Sequence, residues 1–249
     1  MNELETYITG LELYDSENKL PFTVRKVTDN LYEGTEQESA TINFKSVQSF
    51  EAGVSAERQE DVLNSLLLAQ RVATKAFPDE KQLMDWHKRY FEVLERLGWV
   101  FANTGFDSYE SQSNLFGIEK ILLEVLGTVL TGNQLAIIVK SIQALKSLGS
   151  DDKRFVAFEK NTHSLNKGNF QIGIATEENN VLSISSTAFV VKASKKLSRI
   201  LFFSTEKENV EFKYCHIKAI LNEAQFATGR ESLRKKLGDT SEYIADLDM

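Results

Sequence analysis

Cysteine is almost absent from this chain: Cys215 is the only one in 249 residues. No intrachain disulfide can form, so the chain belongs to a reducing compartment or needs no crosslink. Proline is nearly as scarce, with two residues, and glycine is held to 13, which excludes collagen-like and low-complexity architectures. A basic excess is missing as well. The formal net charge is -7 and the pI is near 5.2, the reverse of a general nucleic-acid binder, so no nucleic-acid partner is expected. Met1 to Gly10 places Glu3 and Glu5 where a Sec-type signal would carry Lys or Arg, and Asn-x-Ser/Thr sequons are lacking. The expected location is the cytoplasm, or the exterior by a route that uses no Sec-type signal peptide.

What is present is ordinary for a globular chain: 42% hydrophobic and 26% charged residues. A single domain over 1–249 would bury roughly three quarters of its unfolded surface. Within it, residues 1–54 read as irregular chain and short strands, with Phe22, Val24 and Val27 partly alternating between turn residues. Residues 55–98 read as a helical hairpin. Ser55 precedes Val62, Leu66, Ala69, Val72 and Ala76 at helical spacing; Pro78 breaks the pattern; Leu83, Trp86, Tyr90, Val93, Leu94 and Leu97 form a second stripe, and Gly98 sits where a C-terminal cap belongs. Trp99 to Tyr109 alternates as a strand, with Trp99 and Phe101 opposing Val100 and Ala102. Residues 115–149 form an apolar helical hairpin interrupted at Thr131 to Asn133. From 152 to 220 the period changes to two, through Phe155 and Ala157, then Phe170, Ile172 and Ile174, then Leu182 and Ile184, and finally Val210 to Ala219. A closing helix is expected over 229–247, with a break at Gly238 to Asp239. The fold class is therefore α+β: one main antiparallel sheet, made of strands from the C-terminal half plus one or two earlier ones, packed with paired helices.

Charge is unevenly laid out. Residues 1–60 hold 12 acids and 5 bases, while 191–238 hold 11 bases and 5 acids. Either the two ends pack or steer against each other, or the basic end offers a site for an anionic surface.

Chemistry is harder to find. There is no GxxxxGK[ST] loop, GxGxxG, GxSxG or HExxH, and His87, His163 and His216 are isolated, so neither a catalytic centre nor a metal site is expected. Cys215 and His216 are strand neighbours and point to opposite faces, which prevents direct pairing. Cys215 is then a small buried hydrophobe, a reactive thiol or a covalent acyl acceptor; no other cofactor is expected. The apolar hairpin has two readings. Glu119, Lys120, Glu124 and Lys140 interrupt both arms, and each falls short of about 20 apolar residues, so neither spans a bilayer unaided. It is a core layer, or a membrane-active segment whose working residues are Ile121, Leu122, Leu126, Leu135, Ile138 and Ile142.

The run Val62 to Gln70, with Trp86, Tyr90, Val93-Leu94 and Gly98-Trp99-Val100, is similar to a pattern in uncharacterised bacterial proteins, to which Leu221-Asn222, Arg230 and Lys236-Leu237-Gly238 also belong. In its plan and its isolated late cysteine the chain resembles the Erwinia virulence factor (Evf-type) family. The resemblance implies an α/β-type domain linked to persistence in an insect gut, with a fatty acid on a buried cysteine, here Cys215. The expected function is a non-enzymatic virulence or host-interaction role through binding or association with a membrane or host surface, with S-acylation (palmitoylation) a candidate. The alternatives are a cytoplasmic self-assembling structural protein, which would form a homo-oligomer, and an enzyme of unrecognised type using His87, His163 or Cys215.

Overall fold

In the computed structural model, the described residues are 2–20, 37–102, 105–109, 115–164, 166–194, 200–202, 204–206 and 210–249. The alternation at Phe22 to Val27 and the bases Lys195, Lys196 and Arg199 lie outside them. The elements run α1 (Glu3–Gly10), β1 (Ser39–Asn43), β2 (Ser46–Phe50), α2 (Ala56–Ala76), α3 (Leu83–Leu97), β3 (Trp99–Phe101), β4 (Asp107–Ser108), β5 (Leu115–Gly117), α4 (Ile118–Leu126), α5 (Gly132–Ser147), α6 (Lys153–Thr162), β6 (His163–Ser164), β7 (Lys167–Glu178), β8 (Val181–Ala193), β9 (Ser204–Glu206), β10 (Val210–Leu221), α7 (Glu223–Ala227), α8 (Arg230–Leu237) and β11 (Ile244–Leu247).

The α+β class is as expected, with one sheet built mainly from the long strands β7, β8 and β10. Its order is β11-β1-β2-β7-β8-β10-β3, with β4 beside β10 and β6 beside β7. Every pairing is antiparallel except β2 with β7, so the sheet is mixed. Strand alternation then sorts the side chains into two cores. Leu182, Ile184, Ala188, Cys215, Ile217 and Ala219 face α2 and α3, together with α1 and α8. Phe170, Ile172, Phe189, Val191 and Phe212 face α4, α5 and α6. On this second face Phe170, Phe189 and Phe212 step across three strands at centroid separations of 5.3 and 5.6 Å, inside the range where aromatic pairs add to their burial.

Helix α2 is buried along 15 of its 21 residues, which makes it a central rather than a surface helix. Its polar side chains are accommodated through backbone groups: Gln70 accepts from Lys45 N at 2.8 Å, Arg71 donates to Tyr14 O at 2.8 Å, and Ser65 donates to Asp61 O at 2.7 Å. Ser55 caps it and Gly98 closes α3 in the left-handed conformation, both as the sequence predicts.

Four expectations are corrected. The strand reading from 152 fails over Lys153–Thr162, which is helix α6: Phe155, Phe158 and Thr162 are buried at helical spacing, and Asp152 caps the start by accepting from Arg154 N. The closing helix over 229–247 stops at Leu237, where Gly238 takes a positive φ of 62°, and Ile244–Leu247 becomes the edge strand β11 against β1. The first arm of the apolar hairpin is only nine residues, because Leu115–Gly117 pairs as a strand with β9. Residues 1–54 contain a helix as well as strands; Asn2 and Glu5 form a capping box that starts α1.

Gly173 sits directly opposite Ser186 across β7 and β8. A Cβ there would lie 2.3 Å from Ser186 Cβ and 3.2 Å from its Cα. Gly173→Ala is expected to cost about 1–3 kcal/mol, seen as a lower urea midpoint with an unchanged slope.

Candidate functional site

The apolar hairpin forms an outer layer over the second sheet face. Ile121, Leu122, Leu126, Ile138 and Ile142 are buried in that core, and Leu135 is half-buried at its rim. The opposite face of the two helices carries Lys120, Glu124, Lys140 and Lys146 in solvent. On the outside Lys140 pairs with Glu38 at 2.6 Å, and Lys146 on α5 pairs with Glu119 on α4 at 2.9 Å, which joins the two arms to each other. Exposed pairs of this kind contribute about 0–1 kcal/mol each, so the buried side chains hold the layer in place. One buried polar contact joins it to the sheet: the hydroxyls of Ser49 on β2 and Ser141 on α5 meet at 2.7 Å.

The hairpin stops short of one end of the sheet. Val129 in its connecting turn is 46% exposed, and beyond it Val100 and its cross-strand partner Ile220 are 63% and 49% exposed on the same sheet face, with Val181 near them at the start of β8. His216 links the two regions by bonding Thr187 through Nδ1 at 3.0 Å and Thr128 through Nε2 at 3.3 Å. Sequence reasoning missed this strip. The signal was the apolar Val100 and Ile220 on the face away from Trp99, which reads as two-sided burial until the extent of the covering helices is known.

Cys215 is fully buried in the first core, opposite Ala188. Burial, with the nearby Asp107 charge, pushes its thiol up to about 12, so the folded protein presents almost no thiolate at neutral pH. His216 points to the other face, as the alternation predicts. His163 lies on β6 with its Nδ1 3.9 Å from Glu159 Oε2. His87 is buried between Trp86 and Phe106, with ring centroids 4.8 and 4.7 Å away. The three histidines and Cys215 are thus distributed over different layers and edges rather than gathered into one centre. Among the described residues no group of three His, Cys, Asp or Glu side chains could hold a metal ion, and no helix is long and apolar enough to cross a membrane.

The chain's two ends do meet. Arg230 on α8 grips Asp61 on α2 with Nε and Nη2, both at 2.9 Å, and Arg234 reaches Glu60 at 3.0 Å. Lys236 donates to Thr9 O at 2.8 Å.

No family model matches the chain, and no curated protein matches it. Its fold is similar to those of three solved structures. A delta-endotoxin is 16% identical, with a TM-score of 0.44 over 81% of this chain and 87% of that one. The activated Cyt2Ba monomer from Bacillus thuringiensis subsp. israelensis is 12% identical, with a TM-score of 0.43 over 72% and 97%. The Evf virulence factor is 11% identical, with a TM-score of 0.41 over 93% of this chain and 85% of that one, and the likeness to all three is one of fold.

Proposed function

We propose that this chain is a non-enzymatic bacterial virulence or host-interaction protein that acts by associating with a membrane. The supporting observation is the hairpin of α4 and α5: a two-faced helical layer on the sheet, ending in an exposed apolar turn beside the uncovered Val100, Ile220 and Val181. Two-faced helices lie naturally in a bilayer interface, where burial of their apolar side drives binding. In water that side is satisfied by Phe170, Phe189 and Phe212, so release from the sheet is the step that makes it available to lipid.

The Ser49 and Ser141 contact provides a lock. Their hydroxyls are close enough that S49C/S141C should form a disulfide across the layer boundary. The oxidised variant is expected to lose dye release from anionic liposomes and to regain it on reduction, while the wild type releases dye under both conditions. Equal release by the locked and unlocked forms would remove the hairpin from the mechanism. The exposed Val100 on the edge strand β3 favours one competing reading, self-assembly. Light scattering after size exclusion separates the two, since assembly needs a concentration-dependent oligomer and membrane association does not.

Lipid attachment at Cys215 belongs to the same proposal. At this buried position an acyl chain would lie in the core, each methylene contributing about 0.8 kcal/mol, and it would have to be added before β10 packs. Intact mass decides it: a bare-chain mass, with Cys215 alkylated only after unfolding, rules the chain out.

A further inference from the structure

The tip of the hairpin is fastened to the sheet through a titratable side chain. His216 on β10 stands between Thr187, its cross-strand partner on β8, and Thr128 in the turn that joins α4 to α5. The two hydroxyls decide which ring nitrogen carries the hydrogen. The hydrogen of the Thr128 hydroxyl goes to Val125 O at 2.7 Å, so towards the ring this oxygen can only accept. Nε2 must therefore donate to it, across 3.3 Å. Nδ1 is then the acceptor and takes the hydrogen of Thr187 Oγ1 at 3.0 Å. This arrangement fits a neutral ring.

The elements around His216 offer a cation little at that place. β8 presents Thr187 and Ser185, β7 presents Ile172 beside Thr187, the turn presents Thr128 and Thr131, and the Tyr214 ring centroid lies 5.1 Å from that of the imidazole. The charged groups on these and the adjoining elements are Lys218 on the same face of β10, Glu124 on α4, which accepts from Tyr109, and Asp107 on β4, opposite Tyr214. Burial disfavours the charged ring and Asp107 favours it, burial being the stronger.

Protonation adds a hydrogen to Nδ1, the atom to which Thr187 donates. Two donors then face each other, and because Thr187 is fully buried no water replaces the acceptor it loses. Asp107 is exposed on β4, on the side of β10 away from β8. Counter-ion and solvent thus both draw the charged ring away from Thr187.

We propose that His216 is a pH-operated latch: neutral, it holds the hairpin turn on the sheet through Thr128 and Thr187; protonated, it swings toward Asp107 and frees the turn that carries the exposed Val129. The latch regulates the site of the membrane reading, and its role rests on that reading. Its chemistry can be measured without lipid.

Amide exchange in the full chain reads the turn directly, since the N–H groups of Thr128, Val129 and Leu130 are bonded to Val125 O and Leu126 O. His216→Gln places an amide donor and an amide acceptor in the gap at every pH. After correction for the intrinsic pH dependence, lowering the pH from 7.5 to 5.0 should accelerate exchange of these three amides in the wild type at least about threefold more than in His216→Gln. Asp107→Asn, an exposed substitution, should exchange more slowly than the wild type at the lower pH, because the cation loses its counter-ion. Equal acid-induced exchange in the wild type and either variant overturns the latch. The second arm is dye release from phosphatidylcholine vesicles containing phosphatidylglycerol, where a lower onset pH for His216→Gln than for the wild type supports the regulatory role. Release by both at the same pH, with the exchange difference present, overturns that role. No release by the wild type at any pH, again with the exchange difference present, overturns the membrane reading and leaves the latch standing.

Discussion

Asp61→Ala is expected to destabilise the protein by about 3–5 kcal/mol, the largest loss foreseen for any single charged residue here. Asp61 is 2% exposed and accepts both arms of the Arg230 guanidinium at 2.9 Å, with Arg58 a further 3.4 Å away. Burial pushes its carboxyl above the ordinary carboxylate range, and the two guanidiniums pull it back. Arg230 is itself shifted up, its pairing with Asp61 and Glu223 outweighing the effect of burial. Removing the carboxylate leaves Arg58 and Arg230, each about 15% exposed, facing each other with Glu223 as their main compensation. The cost comes from these stranded cations as well as from the lost bonds. Two variants distinguish the causes by urea unfolding. Asp61→Asn keeps the shape and part of the hydrogen bonding, so it should lose less than Asp61→Ala. Arg230→Ala in the Asp61→Ala background should recover part of the loss, giving a coupling of about 1–3 kcal/mol. Additive losses in that cycle would mean that the two residues act separately.

This network also shows what was legible in the sequence. The acidic excess of residues 1–60 and the basic excess of 191–238 left open whether the ends pack together or the basic end meets an anionic surface, and Arg234 with Glu57 and Glu60 realises part of the first reading. Composition does not identify Asp61 as the buried anchor, because its burial follows from α8 lying over the start of α2. Long elements were read well: α2, α3, α5 and the strands β7, β8 and β10 each repeat one period over enough residues for noise to average out. Short ones were not. In α6, Phe155 and Ala157 satisfy a strand period as well as the helical stripe through Phe158 and Thr162, and only the Asp152 cap separates the readings. The parallel pairing of β2 with β7 was hidden for a different reason: register between strands far apart in sequence is decided by the helices that cover them.

Acidification from pH 7 to 4.5 is expected to remove roughly 2–3 kcal/mol of stability through His87. The residue is fully enclosed, and neither ring nitrogen has a hydrogen-bond partner among the described residues. Burial pushes its pKa down from 6.5 to about 3; the nearby Lys45 charge acts in the same direction, and the approach of Asn169 opposes both. The folded protein therefore keeps the imidazole neutral down to about pH 3, while the unfolded chain protonates it below 6.5. Its contribution is fully present above 6.5 and declines by about 1.4 kcal/mol per pH unit as pH falls toward 3. Carboxylates held low by neighbours, such as Asp152 beside Arg154 and Glu211 beside Lys213 and Lys192, lose their contribution only below their ordinary range near pH 4. His216, which burial also pushes below 6.5, loses its contribution over the same interval, and Glu51 and Asp61, both raised by burial, act in the opposite direction, so the share of His87 is read by comparing a His87 variant with the wild type. His87→Phe keeps an aromatic ring among Trp86, Phe91 and Phe106, so its stability at pH 7.5 should stay within about 1.5 kcal/mol of wild type. Its urea midpoint should then fall less than that of the wild type over the interval, the difference being the part due to His87. The same variant bears on membrane association. If acid loosens the fold and so frees the hairpin, dye release by His87→Phe should require a lower pH than release by the wild type. If both release dye at the same pH while their unfolding curves diverge, the hairpin leaves the sheet without help from His87.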